Sequence, residues 1–176
     1  MPNDSETLLR FLLSRRSIRK FKAKEVDMET IKRILDVARY APSARNLQPW
    51  IFIVVTDREI RMKLAEIQPG AQPIKNAPVC IAVACDKTAS PITYHVDCAN
   101  AAMYIMLAAH ALGLGSVWIN ALRNIEKVRQ ILGIPPNYVP ITIIALGYPD
   151  ESPEPRPRKS LGEIAFLNAY GRKLQS

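Results

Sequence analysis

The chain has 176 residues, 48% hydrophobic and 23% charged, a composition that excludes disordered and fibrous classes and suits one globular domain spanning residues 1–176. Its formal charge of +8 is gathered at the two ends: residues 1–24 carry seven Lys/Arg against Asp4 and Glu6, residues 151–176 carry five against three acids, and the middle nearly balances. A nucleic-acid binder would instead show a basic stripe along the body of the fold with aromatics interleaved, so the ends read either as two segments converging on a compact anion or as solvated charge runs.

In chain order, Asp4 or Ser5 can cap a short helix with Leu8, Leu9, Leu12 and Leu13 on one side. Asp27 caps a second helix, whose Ile31, Ile34, Leu35 and Ala38 keep the 3.6-residue period and which must stop before Pro42. "WIFIVV" (50–55) reads as a buried strand, and a third helix starts near Asp57 with Ile60, Leu64 and Ile67 on one face. The loop "QPGAQPIKNAP" leads to a second strand, "VCIAVAC" (79–85). From His95 to Leu112 the sequence predicts a helix that is apolar nearly all round, and therefore central, stopped by Gly113. "SVWIN" (116–120) is a short strand, "IEKVRQIL" (125–132) a helix ended by Gly133, and "PITIIALGY" (140–148) a long buried strand. The tail, with "ESPEPRPRK", is proline-spaced and extended. Four apolar strands among five helices imply either three-layer α/β packing or an α+β sheet flanked by helices.

No apolar run reaches the roughly 18 residues of a membrane span and the first residues are polar, so the expected location is the cytoplasm, with no membrane partner. Cys80, Cys85 and Cys98 lack CxxC spacing and sit in apolar stretches, and are expected to be free buried thiols. His95 and Cys98 share a helical spacing, but without a second pair nearby no metal site is expected.

Most catalytic equipment is absent: two histidines, no GxSxG elbow and no HExxH. "GLGSVW" follows a helix, not a strand, and lacks a third glycine, so it is no dinucleotide fingerprint; nor does a Lys-Ser/Thr pair make it a phosphate loop. If the chain is an enzyme, a cofactor carries its chemistry and no side chain is singled out as catalytic.

Two stretches could hold such a cofactor. In "RRSIR", an extended backbone would point Arg15, Ser17 and Arg19 one way and Arg16 and Ile18 the other, giving two forked guanidiniums and a hydroxyl for a phosphate dianion; the alternative is a charged helix end favoured by the dipole. In "APSARNLQPW", Pro42 and Pro49 bracket Ser43, Asn46 and Gln48. The two amides can match an edge that alternates carbonyl, N–H and carbonyl, as a flavin pyrimidine does, or the loop is an ordinary turn.

"RRSIRKF", "APSARNLQPW", "AAHALGLGSVWI" and a late "RPR", in this order from Ser14 to Arg158, resemble the FMN-dependent nitroreductase family. The resemblance implies an α+β fold with a central mixed sheet flanked by helices, and an interlocked homodimer with one FMN in each of two clefts at the subunit interface. It implies that Arg15, Arg16, Ser17 and Arg19, closed on by Arg156 and Arg158, meet the phosphate and neighbouring flavin groups. It implies that Pro42, Ser43, Asn46 and Gln48 reach the flavin from the partner subunit, and that Leu114 and Gly115 lie near flavin N5, where a glycine permits close approach. The activity implied is hydride transfer from NADH or NADPH through FMN to a nitroaromatic, quinone or similar small acceptor, in ping-pong fashion. The chain lacks room for the helices that cover the pocket in larger members, so that pocket is expected to be open. Flavin fragmentation and reductive dehalogenation are rival reactions within the family, and a non-enzymatic FMN or polyanion-binding module is the rival outside it.

Overall fold

The computed structural model describes residues 5–174. Helix α1 (Ser5–Ser14) forms where its leucine spacing predicts, yet buries nothing: Leu8, Leu9, Leu12 and Leu13 are all exposed. Its alternative cap, Asp4, lies outside the described residues. Helix α2 (Met28–Ala38) is capped by Asp27, which accepts the Thr30 N–H at 2.7 Å; the Thr30 hydroxyl first, and then that bond, hold the Asp27 carboxyl below its usual range. A 3-10 turn (Ala44–Asn46) precedes strand β1 (Trp50–Val55). Helix α3 (Arg58–Ala65), capped by Asp57 onto the Ile60 N–H, ends before Ile67, which is buried all the same. Part of the stretch read as a loop is helical: a 3-10 turn (Pro69–Ala71) and helix α4 (Pro73–Asn76) each open on a proline whose missing N–H costs nothing there. Strand β2 (Val79–Asp86), helix α5 (Tyr94–Ala111), strand β3 (Gly115–Asn120), helix α6 (Ile125–Leu132) and strand β4 (Tyr138–Gly147) follow within two residues of their expected bounds. Residues 151–160 form no regular element, and none of residues 151–174 is buried. A one-turn helix α7 (Leu161–Ile164), opened by a Ser160–Glu163 capping box, was not foreseen.

The strand order is β1-β2-β4-β3, and all three pairings are antiparallel. The expected mixed sheet is corrected accordingly: the one parallel contact among the described residues is an isolated bridge from Ser17, which belongs to no strand, to Ser116 of β3. Side chains alternate between two cores. Cys80, Ala82, Ala84, Ile143 and Ala145 face Leu64 of α3 and Val128 of α6; Val79, Ile81, Val83, Ile144 and Leu146 face α2 and α5. Burial on both faces explains why β2 and β4 read as unbroken apolar runs, and why α5, wedged between sheet and α2, has no polar stripe. Pro140 is tolerated in a central strand because it sits at the register shift beside Val83 and Ala84.

The expectation of three free thiols fails at two of them. Cys85, at the end of β2, and Cys98, in the first turns of α5, project into the same core and are joined (S–S 2.07 Å), so Cys98 is no metal ligand. Cys80 faces the opposite core as a free thiol, pushed up to about 12 by burial. The bridge spans 13 residues, a loop whose closure is worth about 3 kcal/mol by chain entropy. Cys85→Ser with Cys98→Ser is therefore expected to lower the melting temperature by about 6–12 °C in calorimetry, against no change if the bridge contributes nothing.

Candidate functional site

The segment carrying the N-terminal arginines is held against the sheet as a strap. The Ile18 N–H donates to the Ser116 carbonyl at 3.0 Å, the Lys22 N–H to Tyr148 at 2.9 Å, and the Asp150 N–H to Lys20 at 3.0 Å. The Glu151 carboxylate accepts the N–H groups of both Arg19 and Lys20. Two glycines make the seat. Gly115 and Gly147 are directly paired across β3 and β4; a Cβ on Gly115 would stand 2.7 Å from Ile18, and one on Gly147 would stand 2.6 Å from Pro78 and 3.2 Å from Phe21. The glycine of the "GLGS" turn is thus required first by the packing of Ile18.

This seat brings the two basic chain ends together. Arg15, Arg16, Ser17 and Arg19 line one cavity of about 140 Å³ with Arg156 and Arg158. Arg16 does not point away, as an extended segment would send it; it folds back so that its Nη1 donates to the carbonyls of Leu13 and Arg15, closing the open end of α1. For Arg16 the helix-end reading of the stretch holds. Arg15, Arg19 and Arg158 likewise donate only to backbone carbonyls, and none of the six residues enters an ion pair among the described residues. Burial, Arg16 and Arg158 push the Arg15 guanidinium below its ordinary value. Glu154 lines the same cavity but pairs with none of the arginines among the described residues, so five guanidiniums against one carboxylate leave an excess of positive charge that fits a bound dianion such as a phosphate.

Arg15 and Arg16 also border a second cavity, of about 270 Å³, floored by Leu114 and Gly115. His110, which the sequence reading passed over, lies there at the end of α5. Its ring stacks on Phe11 at 4.9 Å and its Nε2 is 2.7 Å from the Ser14 hydroxyl, pinning α1 to the site. The Ser14 hydroxyl also lies 2.8 Å from the Phe11 carbonyl, and which of Ser14 and Nε2 donates to the other follows the tautomer of the ring. Burial first, and then Arg15, hold the imidazole below its usual value, so it adds no counter-charge and no strong cation.

Pro42, Ser43, Asn46 and Gln48 are elsewhere. They lie beside the first turns of α5, where Asn100 donates to the Pro42 carbonyl at 3.1 Å and Asp97 accepts the Ala44 N–H at 3.0 Å. Leu114 and Gly115 follow its other end. An 18-residue helix is about 27 Å long, so one copy of the chain holds the two halves of the expected site far apart. The loop is also strained: Arg45, Asn46 and Gln48 have φ of 51°, 57° and 48°, a left-handed region that non-glycine residues seldom enter. Gln48 and Asn46 are exposed, and the Gln48 N–H is held by the Ser43 hydroxyl at 3.0 Å. Asp97, the one acid of α5, is a residue the sequence reading passed over, and its charge in a mainly apolar helix was the signal for it.

A family model described as the nitroreductase family matches residues 12–78 and 68–148. A candidate NADH dehydrogenase/NAD(P)H nitroreductase of Methanothermobacter thermautotrophicus is 42% identical over 154 residues, covering 85% of this chain and 81% of that protein. An FMN-dependent nitroreductase of Clostridium difficile R20291 superposes with a TM-score of 0.84 at 36% identity, over 92% of this chain and 99% of that one. The NADPH:FMN oxidoreductase of Vibrio harveyi, solved with NAD+, superposes at 0.85 with 30% identity, over 95% and 79%. These likenesses run through the strap, the polar loop, the long apolar helix and the paired glycines alike, and on them the chain belongs to the nitroreductase family.

Proposed function

We propose that this chain is an NAD(P)H-dependent flavin oxidoreductase, built of one domain per copy and working as an interlocked homodimer with one FMN in each of two clefts between the copies. It takes electrons from NADH or NADPH in the cytoplasm and passes them to a nitroaromatic, quinone or similar small acceptor, donor and acceptor occupying the same open pocket in turn. One observation carries this reading: five arginines from both chain ends line one cavity against a single carboxylate, Glu154, and none of them enters an ion pair among the described residues. The residues fit the cofactor. Arg15, Arg16, Arg19, Arg156 and Arg158 would hold its phosphate with help from the Ser17 hydroxyl, and the backbone of Leu114 and Gly115 would face its ring. Bound there, FMN supplies two-electron hydride chemistry, and the chain needs no acid or base of its own.

Ser43, Asn46 and Gln48 would bind the ring edge of the FMN held by the other copy. This explains how two half-sites at opposite ends of α5 come to serve one cofactor. The surfaces available for pairing support it: the leucine face of α1, Met103 on α5, and a tail whose Leu161, Ile164, Leu167 and Tyr170 are exposed on their own copy. The edge strand β1 is only partly covered, as a strand awaiting a neighbour would be.

The test separates a redox site from a phosphate clamp. If Asn46 donates to the reduced ring, a lost bond of about 1.5–3 kcal/mol corresponds to a few tens of millivolts, so Asn46→Ala is expected to lower the flavin midpoint potential by that much and to slow reduction by NADH or NADPH. Dye equilibration and stopped flow measure both. A wild-type potential and rate in Asn46→Ala and Gln48→Ala would make the loop an ordinary turn.

A further inference from the structure

Three residues between Ser43 and Pro49 hold a left-handed backbone without being glycine, and such a conformation persists only where the surroundings over-determine it. The surroundings here converge on one side chain. Asp97 is 3% exposed and has no cation within ion-pair distance among the described residues. One of its oxygens accepts the Ala44 N–H at 3.0 Å; the other accepts the hydroxyls of Ser90 at 2.8 Å and Thr93 at 2.9 Å. Ser90 is itself 2% exposed, so two oxygens with three donors form a buried arrangement beneath the loop. Asp97 also stands in the first turn of α5, where the helix favours a negative group.

The Ala44 N–H is the point at which this arrangement grips the strained turn. Ser43 before it is extended (φ −137°, ψ 155°), and Arg45 and Asn46 after it are left-handed, so the direction of the Asn46 and Gln48 side chains follows from where the Ala44 peptide is held. We propose that Asp97 is a positioning residue for the flavin-facing loop, fixing the Ala44 peptide so that Asn46 and Gln48 are aimed at the cofactor before it binds. The inference rests on the flavin reading of that loop given above.

Two substitutions break the contact from opposite sides. Asp97→Ala removes the acceptor. Ala44→Pro removes the donor and leaves Asp97 with Ser90 and Thr93; proline suits the first position of a helical turn after an extended residue, so this variant folds even if the first does not. Each is expected to retain FMN through the arginines, to slow flavin reduction by NADH about tenfold, and to lower the midpoint potential in the same direction as Asn46→Ala. Asp97→Asn should recover most of the rate, because its amide oxygen can still accept from Ala44 while its NH₂ donates to hydroxyls that are free to turn. Placed in a background that carries both Asn46→Ala and Gln48→Ala, Ala44→Pro should add little further slowing, since the two side chains it would misplace are already gone. If Asn46→Ala alters rate and potential while Ala44→Pro leaves both at wild type, or if the effect of Ala44→Pro simply multiplies that of the double background, Asp97 does not position the loop and the flavin reading survives. If Asn46→Ala itself changes nothing, that reading fails and takes this inference with it.

Discussion

Replacing Arg15 and Arg158 together by alanine is expected to cost the protein its cofactor without costing it its fold. Each charge-assisted contact to a phosphate is worth about 1.5–3 kcal/mol, or roughly ten- to a hundredfold in affinity, so the pair should weaken FMN binding by about 10²–10⁴-fold. A purely structural role predicts the opposite signature. In the free chain Arg15 is held in its charged form against burial and against Arg16 and Arg158, so the folded state carries a cost that truncation lifts. Without FMN, the double variant should therefore melt no lower than the wild type, while the stabilisation that added FMN gives to the wild type should vanish. The affinity should also fall with rising salt in the wild type and lose much of that dependence in the variant, since the removed contacts are the screened ones. Equal FMN retention in both proteins, by fluorescence titration of the freed flavin, would overturn the assignment of these arginines.

The second large effect is expected at the outer face of α5. Met103 and Leu107 lie four residues apart on that helix, Met103 is 42% exposed, and Leu107 lines an apolar groove of about 380 Å³ between α5, α2 and α1. Neither is part of the buried cores, so Met103→Glu with Leu107→Glu should leave a single copy folded. In a two-fold dimer each substitution counts twice. Losing about 1.5–3 kcal/mol of apolar burial per side chain, with carboxylates forced into the contact, should raise the dimer dissociation constant by at least about 10³-fold. Sedimentation velocity would then show a folded monomer at micromolar concentration. If each cleft takes the loop of one copy and the strap of the other, as proposed above, flavin reduction by NADH should fall with the dimer. A monomer that keeps full FMN stoichiometry and full reduction rate would show that one copy suffices, and the division of the site along α5 would have no functional meaning.

Much of the local structure was written in the chain. Asp27 and Asp57 cap the helices that their spacing announced, Gly133 ends α6 in the left-handed conformation, and every strand fell within two residues of its apolar run. Such features depend on neighbours three or four residues away, and a sequence displays those directly. The excess charge at both chain ends was visible as well, since charge is a property of composition before it is one of geometry, and the fold brings arginines of both ends to one cavity.

What the chain could not display were contacts between segments distant in sequence, which depend on how the sheet is ordered. The antiparallel order β1-β2-β4-β3 sets Gly115 opposite Gly147 and so makes the seat for Ile18 and Phe21. The packing of α5 on β2 joins Cys85 to Cys98, which the apolar setting of both had suggested were free. Arg16 turned back onto the end of α1, because the carbonyls left open there compete for a donor that strand alternation would have sent elsewhere. Asp97 showed its partners only once Ala44, 53 residues earlier in the chain, lay beneath its carboxylate. Motifs that follow one another in the sequence proved to lie at opposite ends of α5, for a straight helix of 18 residues separates what it joins, and only packing decides what stands at each end.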